Sequence, residues 1–172
     1  MTQEAVNNAI VLFELSVKRE VVDAAQKLYV SQPVLKEILE SPVVPLNNKH
    51  NIIDAIFTSD GYPKELCNFL KIMSNYGQID ELEEIFKAYF KYWDEKNNVL
   101  RAELFFPKEP EETEIDQVKE FLAAKYPDKQ IILEVKTDPK IIGGLLIRVN
   151  QEEYDWSYEG RLNQLERKLT GR

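Results

Sequence analysis

The sequence is poor in the residues that disulfides, thiol chemistry and transition-metal sites require. It contains one cysteine, Cys67, and one histidine, His50. A single cysteine excludes an internal disulfide and a cluster of cysteine ligands, and one isolated imidazole cannot assemble a histidine-based metal site. Cys67 lies among apolar residues in a helical pattern, which predicts a buried, unreactive thiol rather than a catalytic partner of His50. We therefore expect no metal ion and no thiol catalysis.

Phosphate-binding and acid–base motifs are also missing. No segment matches the phosphate-binding loop GxxxxGK[ST], and the adjacent glycines at 143–144 stand outside any GxGxxG pattern. Neighbouring carboxylates occur at 83–84 and 111–112, but on helix faces that read as polar, without the burial that raises the pKa of a catalytic acid. The sequence favours a protein that is not an enzyme and has no cofactor. A small acid–base enzyme remains an alternative.

Long apolar runs and an excess of positive charge are absent as well. No window approaches 18 uninterrupted apolar residues, and residues 1–20 have no basic region ahead of an apolar stretch. We therefore expect neither a membrane-spanning helix nor a signal peptide. The 30 acidic residues outnumber the 22 basic ones, giving a net charge of −8. This charge disfavours nucleic acid and anionic lipid as partners, so we expect no nucleic-acid binding and no direct membrane insertion.

Apolar residues recur at helical spacing throughout residues 1–96. Their spacing of three and four residues, interrupted by proline and glycine, divides this region into six helices. The predicted segments are 3–18, 20–30, a third capped by Ser31 and ended at Ser41-Pro42, a fourth opened by Asn47 or Asn48, a fifth from the turn at 61–63 to Gly77, and a sixth from Ile79 to Trp93. The sequence thus predicts an N-terminal six-helix bundle over residues 1–96.

The period of the apolar residues changes after Asn97-Asn98. Residues that favour strands are concentrated in segments 99–106, 130–136 and 145–149. Apolar residues at helical spacing occupy segment 112–125 and the chain from about residue 156 onward. Alternation of strands and helices in so short a stretch is typical of an α+β unit. We predict a mostly α-helical protein in which the bundle is followed by a small α+β C-terminal domain over residues 97–172.

The first and fifth helices have more apolar surface than one core can bury. In the first helix, the residues predicted to face the core are Ala5, Val6, Ala9, Ile10, Phe13 and Val17, and the surplus apolar residues are Val11, Leu12 and Leu15. In the fifth helix, the core-facing residues are Leu66, Leu70 and Met73, and the surplus apolar residues are Phe69, Ile72 and Tyr76. A helix that is apolar on more than half of its circumference needs two neighbours. The second neighbour is either another helix of the bundle or a partner helix lying in a groove.

Two C-terminal segments carry a recognisable motif. Residues 138–149 (DPKIIGGLLIRV) and 155–165 (DWSYEGRLNQL) resemble the signature of the delta subunit family of F-type ATP synthases, which includes the mitochondrial oligomycin-sensitivity-conferring protein. The elements of this motif are Gly143, Gly144, Asp155, Ser157, Arg161 and Leu162. We expect the two glycines to allow a tight turn into the strand, and the carboxylate of Asp155 to cap the last helix.

The N-terminal part of the chain matches this family more loosely. Residues 9–15 are similar to its first helix, 68–77 to its fifth helix and the stop that follows, and 99–104 to the strand after the bundle. The chain departs from the family pattern at Asn8, where a tyrosine is frequent, at Gln78, where an arginine usually follows the glycine, and at 105–107, where small residues are expected.

The resemblance implies a non-catalytic stator subunit that links the catalytic head to the peripheral stalk, so that rotation is coupled to proton-driven ATP synthesis. It further implies that the helical domain accepts the N-terminal helix of an alpha subunit between its first and fifth helices. We expect Val11, Leu15, Ile72 and Tyr76 to line that groove, with Asn8 and Phe69 at its edges.

The remaining implications concern the C-terminal domain and the location of the protein. The resemblance implies contact between the peripheral-stalk b subunits and the last helix and strands. It also implies a peripheral position on the cytoplasmic face of a bacterial cell membrane, where the complex holds the protein. The alternative function is that of a free-standing helical adaptor or regulator unrelated to the synthase.

Overall fold

The structure, a computed structural model, describes residues 2–58, 61–150 and 152–170. The chain divides into two units, Met1–Asp94 and Glu95–Arg172. Each unit has its own apolar core. Within the described residues the chain is mostly helical with a four-stranded sheet, which confirms the mostly helical content predicted from the sequence.

Helices account for most of the first unit. Within the described residues, these are α1 (Gln3–Glu14), α2 (Arg19–Ser31), α3 (Pro33–Glu40), α4 (Leu46–Ile53), α5 (Lys64–Asn75) and α6 (Leu82–Lys96). A π-helical turn, Asp54–Thr58, continues α4, and a 3-10 turn, Ile79–Glu81, precedes α6. The helix α6 ends at Lys96, two residues past the division between the units.

The ends of α1 and α5 follow from local backbone chemistry. Thr2 caps α1, because its hydroxyl oxygen accepts a hydrogen bond from the Ala5 amide at 3.1 Å. The helix ends at Glu14 rather than at residue 18, since Ser16 has a left-handed φ of 56°. Gly77, with φ of 68°, ends α5, and the Gln78 amide donates to the Met73 carbonyl at 2.9 Å. This arrangement is a Schellman motif, so the predicted glycine stop is confirmed.

The predicted side-chain caps of the third and fourth helices are wrong. Ser31 is the last residue of α2, and its hydroxyl donates to the Leu28 carbonyl at 3.1 Å, while Gln32 precedes α3. Asn47 and Asn48 lie inside α4, which begins after Pro45. Pro33 occupies the first position of α3, where its fixed φ near −65° suits the first turn, and Pro45 directly precedes α4. Neither helix has a side-chain cap at its start.

The core of the first unit draws on all six helices. Its largest buried side chains include Tyr29 and Tyr89, whose hydroxyls donate to Glu40 at 2.9 Å and to the Val17 carbonyl at 3.2 Å. Burial raises the pKa of both phenols. Each buried hydroxyl therefore has the partner that its desolvation requires.

Leu12 belongs to this core and not to the surplus face to which the sequence assigned it. Its side chain is fully buried, together with Ala5 and Ala9. At 100° per residue, Leu12 lies only about 20° from Ala5 around the helix. The buried face of α1 is thus centred nearer to Leu12 than the sequence predicts.

The second unit is built on a mixed sheet with the strand order β2-β1-β3-β4. Its described elements are β1 (Val99–Phe106), α7 (Glu112–Lys125), β2 (Gln130–Thr137), β3 (Leu146–Val149), β4 (Glu152–Asp155) and α8 (Tyr158–Thr170). Strands β1 and β2 are parallel and joined through α7, whereas β3 is antiparallel to β1 and to β4. Val118 and Leu122 of α7 are buried in this unit's core.

The fourth strand was not predicted, and the last helix begins two residues later than the sequence suggested. Strand β4 has the sequence EEYD and is mostly exposed, so it lacks the apolar alternation by which strands are recognised. Its pairing with β3, in which Val149 lies opposite Glu152, is a tertiary feature. Residues 156 and 157 connect this strand to α8.

Candidate partner-binding groove

An open groove lies between α1 and α5 in the first unit. Its volume is about 510 Å³, and its lining residues are Asn8, Val11, Leu15, Glu65, Asn68, Phe69, Ile72, Met73, Tyr76 and Gln78. The structure brings together all six residues that the sequence proposed for a partner-binding groove. Gln78, just past the end of α5, contacts both Glu4 and Asn8 in the first half of α1, while Leu15 at the end of α1 lines the groove together with Glu65 and Asn68 of the first half of α5. The two helices therefore run in opposite directions along the groove.

Four apolar side chains form the walls of the groove. Val11 is 49% exposed and Leu15 37% on the α1 side, while Ile72 is 47% and Tyr76 76% exposed on the α5 side. Isolated exposed apolar residues are ordinary, but four that face one groove form a contiguous patch of the kind that marks interaction sites. Among the described residues of the first unit, no element covers this patch.

Phe69 lies in the floor of the groove and not at its edge as predicted. Phe69 is only 2% exposed, and Met73, four residues later on α5, is also buried. Residues four apart lie on the same side of a helix, so Phe69 shares the core-facing direction of Met73. The groove thus has a buried apolar floor that belongs to the unit's core.

Polar side chains occupy both ends of the groove. At one end, the amide nitrogen of Asn8 donates to Oε1 of Gln78 at 3.1 Å, and the amide nitrogen of Gln78 donates to Oε2 of Glu4 at 3.0 Å. Glu65 and Asn68, in the first half of α5, line the opposite end and are exposed. An apolar centre with polar ends is the profile of a groove for an amphipathic helix.

The glycine pair of the C-terminal motif lies where α8 approaches the start of β3. Gly143 and Gly144 have φ angles of 86° and 77°, a region that only glycine adopts at little cost. A Cβ atom on Gly144 would lie 2.3 Å from the Trp156 carbonyl oxygen, and one on Gly143 would lie 2.6 Å from the Tyr158 ring. Both a turn and a close backbone approach therefore require glycine here.

Ser157 caps α8, and the assignment of that role to Asp155 is wrong. The hydroxyl oxygen of Ser157 accepts from the Gly160 amide at 3.0 Å, while the Asp155 carboxylate accepts from the Ser157 amide at 2.9 Å. Because α8 begins at Tyr158, Ser157 is the residue that immediately precedes it. Asp155 orders the turn that presents Ser157. Arg161, whose amide donates to the Ser157 carbonyl at 3.1 Å, has an exposed side chain.

One face of α8 carries an exposed apolar stripe. Its members are Tyr158, Leu162, Leu165 and Leu169, each between 56% and 87% exposed. Their spacing of four, three and four residues places them within one narrow sector of the helix, as in the seam of a coiled coil. Leu162, Leu165 and Leu169 recur at helical spacing in the sequence, and the structure adds Tyr158 to their side of the helix. The described residues of the second unit leave this side uncovered.

The residues considered for catalysis have structural neighbours instead. Nε2 of His50 lies 3.0 Å from Oδ1 of Asn75, and Cys67 is buried with its sulfur 3.9 Å from the Thr58 hydroxyl. Within the described ranges, no group of three or more histidine, cysteine, aspartate or glutamate side chains could hold a metal ion. None of the described helices is both long enough and apolar enough to span a membrane.

Comparison with known proteins identifies the family. The family model described as "ATP synthase delta (OSCP) subunit" matches residues 11–169. A Clostridioides difficile protein named "ATP synthase subunit delta" is 33% identical over 167 residues, covering 97% of this chain and 88% of the relative. A Lactiplantibacillus plantarum protein of the same name is 26% identical, covering 92% of this chain and 90% of the relative.

The fold also matches a solved structure over its length. A chain of the Toxoplasma gondii mitochondrial ATP synthase hexamer superimposes with a TM-score of 0.69 at 13% identity, covering 99% of this chain and 98% of that chain. The family match speaks against a free-standing adaptor unrelated to the synthase. The chain belongs to the ATP synthase delta (OSCP) subunit family and is a non-catalytic, structural subunit of that complex.

Proposed function

We propose that this stator subunit joins the catalytic head to the peripheral stalk through two separate surfaces. Residues 1–96, as a six-helix bundle, bind the head, and residues 97–172, as an α+β domain, bind the stalk. The observation that supports this proposal most strongly is the groove between α1 and α5, whose walls are four uncovered apolar side chains. The exposed stripe on α8 supports the second contact.

The groove fits the N-terminal helix of an ATP synthase alpha subunit. Val11, Leu15, Ile72 and Tyr76 provide the walls, Phe69 the floor, and Asn8 one end. Full burial of an apolar side chain contributes about 1.5–3 kcal/mol, so covering a half-exposed one contributes about 1 kcal/mol. Covering the four half-exposed side chains of the groove therefore contributes about 4 kcal/mol of binding free energy, and burial of the apolar side chains of the incoming helix adds to it. Nanomolar affinity, about −12 kcal/mol, therefore requires the burial of apolar side chains on the incoming helix in addition to that of the groove residues.

The stripe on α8 fits a helix of the peripheral-stalk b subunits. Leu162, Leu165 and Leu169 recur at the spacing of the apolar seam in two-stranded coiled coils. A stalk helix with the same period would pack its own apolar seam against these leucines. The motif residue Arg161 follows the first turn of α8, beside this stripe, and its exposed side chain is available to a stalk carboxylate.

The mechanism is mechanical, because the protein holds two assemblies together against torque. Rotation of the central shaft drags the head, and the stator must resist this drag for ATP synthesis to be coupled to proton flow. Resistance requires slow dissociation at both surfaces, and affinity differences between related interfaces are mostly differences in dissociation rate. Held by the b subunits, the protein would lie at the cytoplasmic face of a bacterial cell membrane as a peripheral component.

The experiment that tests this function is the formation of a ternary complex. The full chain is mixed with a peptide of the alpha subunit's N-terminal segment and with the soluble part of the b subunits, and sedimentation velocity reports the assembly. We expect a species that contains all three components, since the two surfaces are distinct. Mutual exclusion of the two partners, or failure of either to bind, would contradict the proposal.

A further inference from the structure

We infer that the groove selects a partner helix that carries a basic side chain beyond each end of its apolar stripe. The selecting groups are the carboxylates of Glu4 and Glu65. This inference rests on the proposed function, because a helix must occupy the groove for its ends to be recognised. The groove walls select a helix with an apolar stripe, and the two carboxylates further select basic side chains at the ends of that stripe; we call this second selection the charge rule.

The two carboxylates lie at opposite ends of the groove. On α1, the groove-lining residues Asn8, Val11 and Leu15 follow at intervals of three and four. Glu4, four residues before Asn8, lies on the same side of the helix and accepts a hydrogen bond from Gln78 at the end of the groove. Glu65 stands in the first turn of α5. Because the two helices run in opposite directions, their starts lie at different ends.

The length of this arrangement defines the partner. From residue 4 to residue 15, α1 and its last turn rise about 16 Å at 1.5 Å per residue, which is three helical turns. Glu4 and Asn8 occupy the first of these turns, so a partner stripe of about two turns fills the apolar centre, and the residues that flank this stripe come near the level of the carboxylates. Long lysine and arginine side chains reach such positions while their stems cover apolar surface.

Nothing in the described part of the chain neutralises either carboxylate. Neither Glu4 nor Glu65 has an ion-pair partner among the described residues, and Glu4 accepts only from the neutral amide of Gln78. Of the basic residues of α5, Lys64 precedes Glu65 but is not among the residues that line the groove, and Lys71 pairs with Asp54 at 2.7 Å. Each groove end combines the start of one helix with the end of the other, so the opposed helix dipoles largely cancel and the carboxylate charges remain.

Charges at the rim of an interface change the association rate and the discrimination between partners more than they change the apolar affinity. An acidic helix of the same apolar pattern would meet a carboxylate at each end, on a chain whose net charge is already −8. The groove therefore rejects acidic amphipathic helices that its apolar walls alone would accept.

The test uses three designed peptides of one apolar stripe, with both ends blocked to remove the terminal charges. They differ only at the two residues that flank the stripe, which are lysine, glutamine or glutamate. Binding to the full chain is measured by fluorescence anisotropy at 50 and 500 mM NaCl. At low salt we expect the lysine peptide to bind about tenfold more tightly than the glutamate peptide, and this ratio to shrink at high salt.

The variant Glu4→Gln with Glu65→Gln identifies the selecting groups. We expect the preference for lysine to fall to about twofold or less in this double variant, and to persist in the control Glu37→Gln, an exposed carboxylate on α3. Equal binding of the lysine and glutamate peptides to the unmodified chain would overturn the charge rule alone. Absence of binding by all three peptides and by the alpha-subunit peptide would overturn the proposed function as well.

Discussion

Gly144 and the carbonyl oxygen of Trp156 are so close that a Cβ atom on residue 144 would lie 2.3 Å from that oxygen. The contact joins the turn before β3 to the segment that leads into α8. The Trp156 amide also donates to the Leu145 carbonyl at 2.9 Å, so the two segments are held at backbone distance. The glycine pair of the family motif thus has a structural role that requires no chemistry.

Gly144→Ala should destabilise the protein by about 3 kcal/mol. A left-handed backbone costs an alanine about 1–2 kcal/mol, and the overlap with a backbone oxygen adds a cost that side-chain rotation cannot relieve. Gly77→Ala is the matched control, because Gly77 also has positive φ but has no atom within 4 Å of the Cβ position. We expect Gly77→Ala to lower the free energy of unfolding by about 1 kcal/mol. Urea unfolding followed by circular dichroism measures both, and equal losses would contradict the close-approach explanation.

Lys49 is a buried lysine that stabilises the end of α3. Its ammonium group donates to the Leu39 carbonyl at 2.6 Å, one of the last carbonyls of the helix, which have no partner within it. We expect Lys49→Met to lower the free energy of unfolding by about 2 kcal/mol, because it leaves that carbonyl buried and unpaired. Lys27→Met, which removes an exposed ion pair with Asp23, should cost less than about 0.5 kcal/mol. Similar losses in both variants would refute this role.

Glu152 makes the stability of the second unit depend on acidity. Hydrogen bonds from Tyr154 first, then from Tyr126 and Lys125, lower the pKa of this carboxyl to about 2 from 4.5. A lowered folded-state pKa stabilises the fold at pH values above 4.5, and this stabilisation is lost as the pH falls from about 4.5 to about 2.

Glu152→Gln should therefore be less stable than the unmodified chain at neutral pH, and its stability should fall less steeply between pH 4.5 and 2. Tyr154→Phe, which removes the strongest donor but keeps the ring, should shift the profile in the same direction by a smaller amount. Urea unfolding at a series of pH values measures these profiles. Parallel profiles for all three proteins would show that the hydrogen bonds contribute nothing to the pH dependence.

The stripe on α8 should carry stalk binding and little folding energy. Leu162 is 66% exposed, so Leu162→Asp should leave the thermal midpoint nearly unchanged. It should weaken binding of the soluble b subunits by about 2–3 kcal/mol, roughly 30- to 150-fold, because a charge would be buried at the interface. Asn163→Asp adds the same charge one residue away, outside the stripe, and should have little effect. Sedimentation equilibrium can compare the two, and equal effects would place the contact elsewhere.

The sequence predicted the elements with strong periodicity and missed those that depend on tertiary partners. Helix α7 was placed at 112–125, the bounds that the structure has, because its apolar spacing and its ends are local. Strand β4 was missed, since its charged residues become a strand only beside β3. The cap of α8 was assigned to Asp155 instead of Ser157, because a two-residue error in the start of a helix changes which side chain meets the free amides.

The groove shows the same division. Periodicity alone identified α1 and α5 as helices with surplus apolar surface, and Val11, Leu15, Ile72 and Tyr76 do lie together and uncovered. The assignments of Leu12 and Phe69 were wrong, because the direction of the core is set by the neighbours of a helix and not by its own pattern. The hydrogen bonds among Glu4, Asn8 and Gln78 join residues about 70 positions apart, which no local signal reveals.

The central claim, that a partner helix occupies the groove, is tested most directly by one calorimetric titration. The full chain is titrated with a peptide of the alpha subunit's N-terminal segment, comparing Val11→Asp with Val34→Asp, which adds the same charge at an exposed valine of α3 outside the groove. We predict that Val11→Asp weakens binding by about a hundredfold, some 2.7 kcal/mol, while Val34→Asp binds like the unmodified chain. Binding by Val11→Asp within twofold of the unmodified chain would contradict the claim.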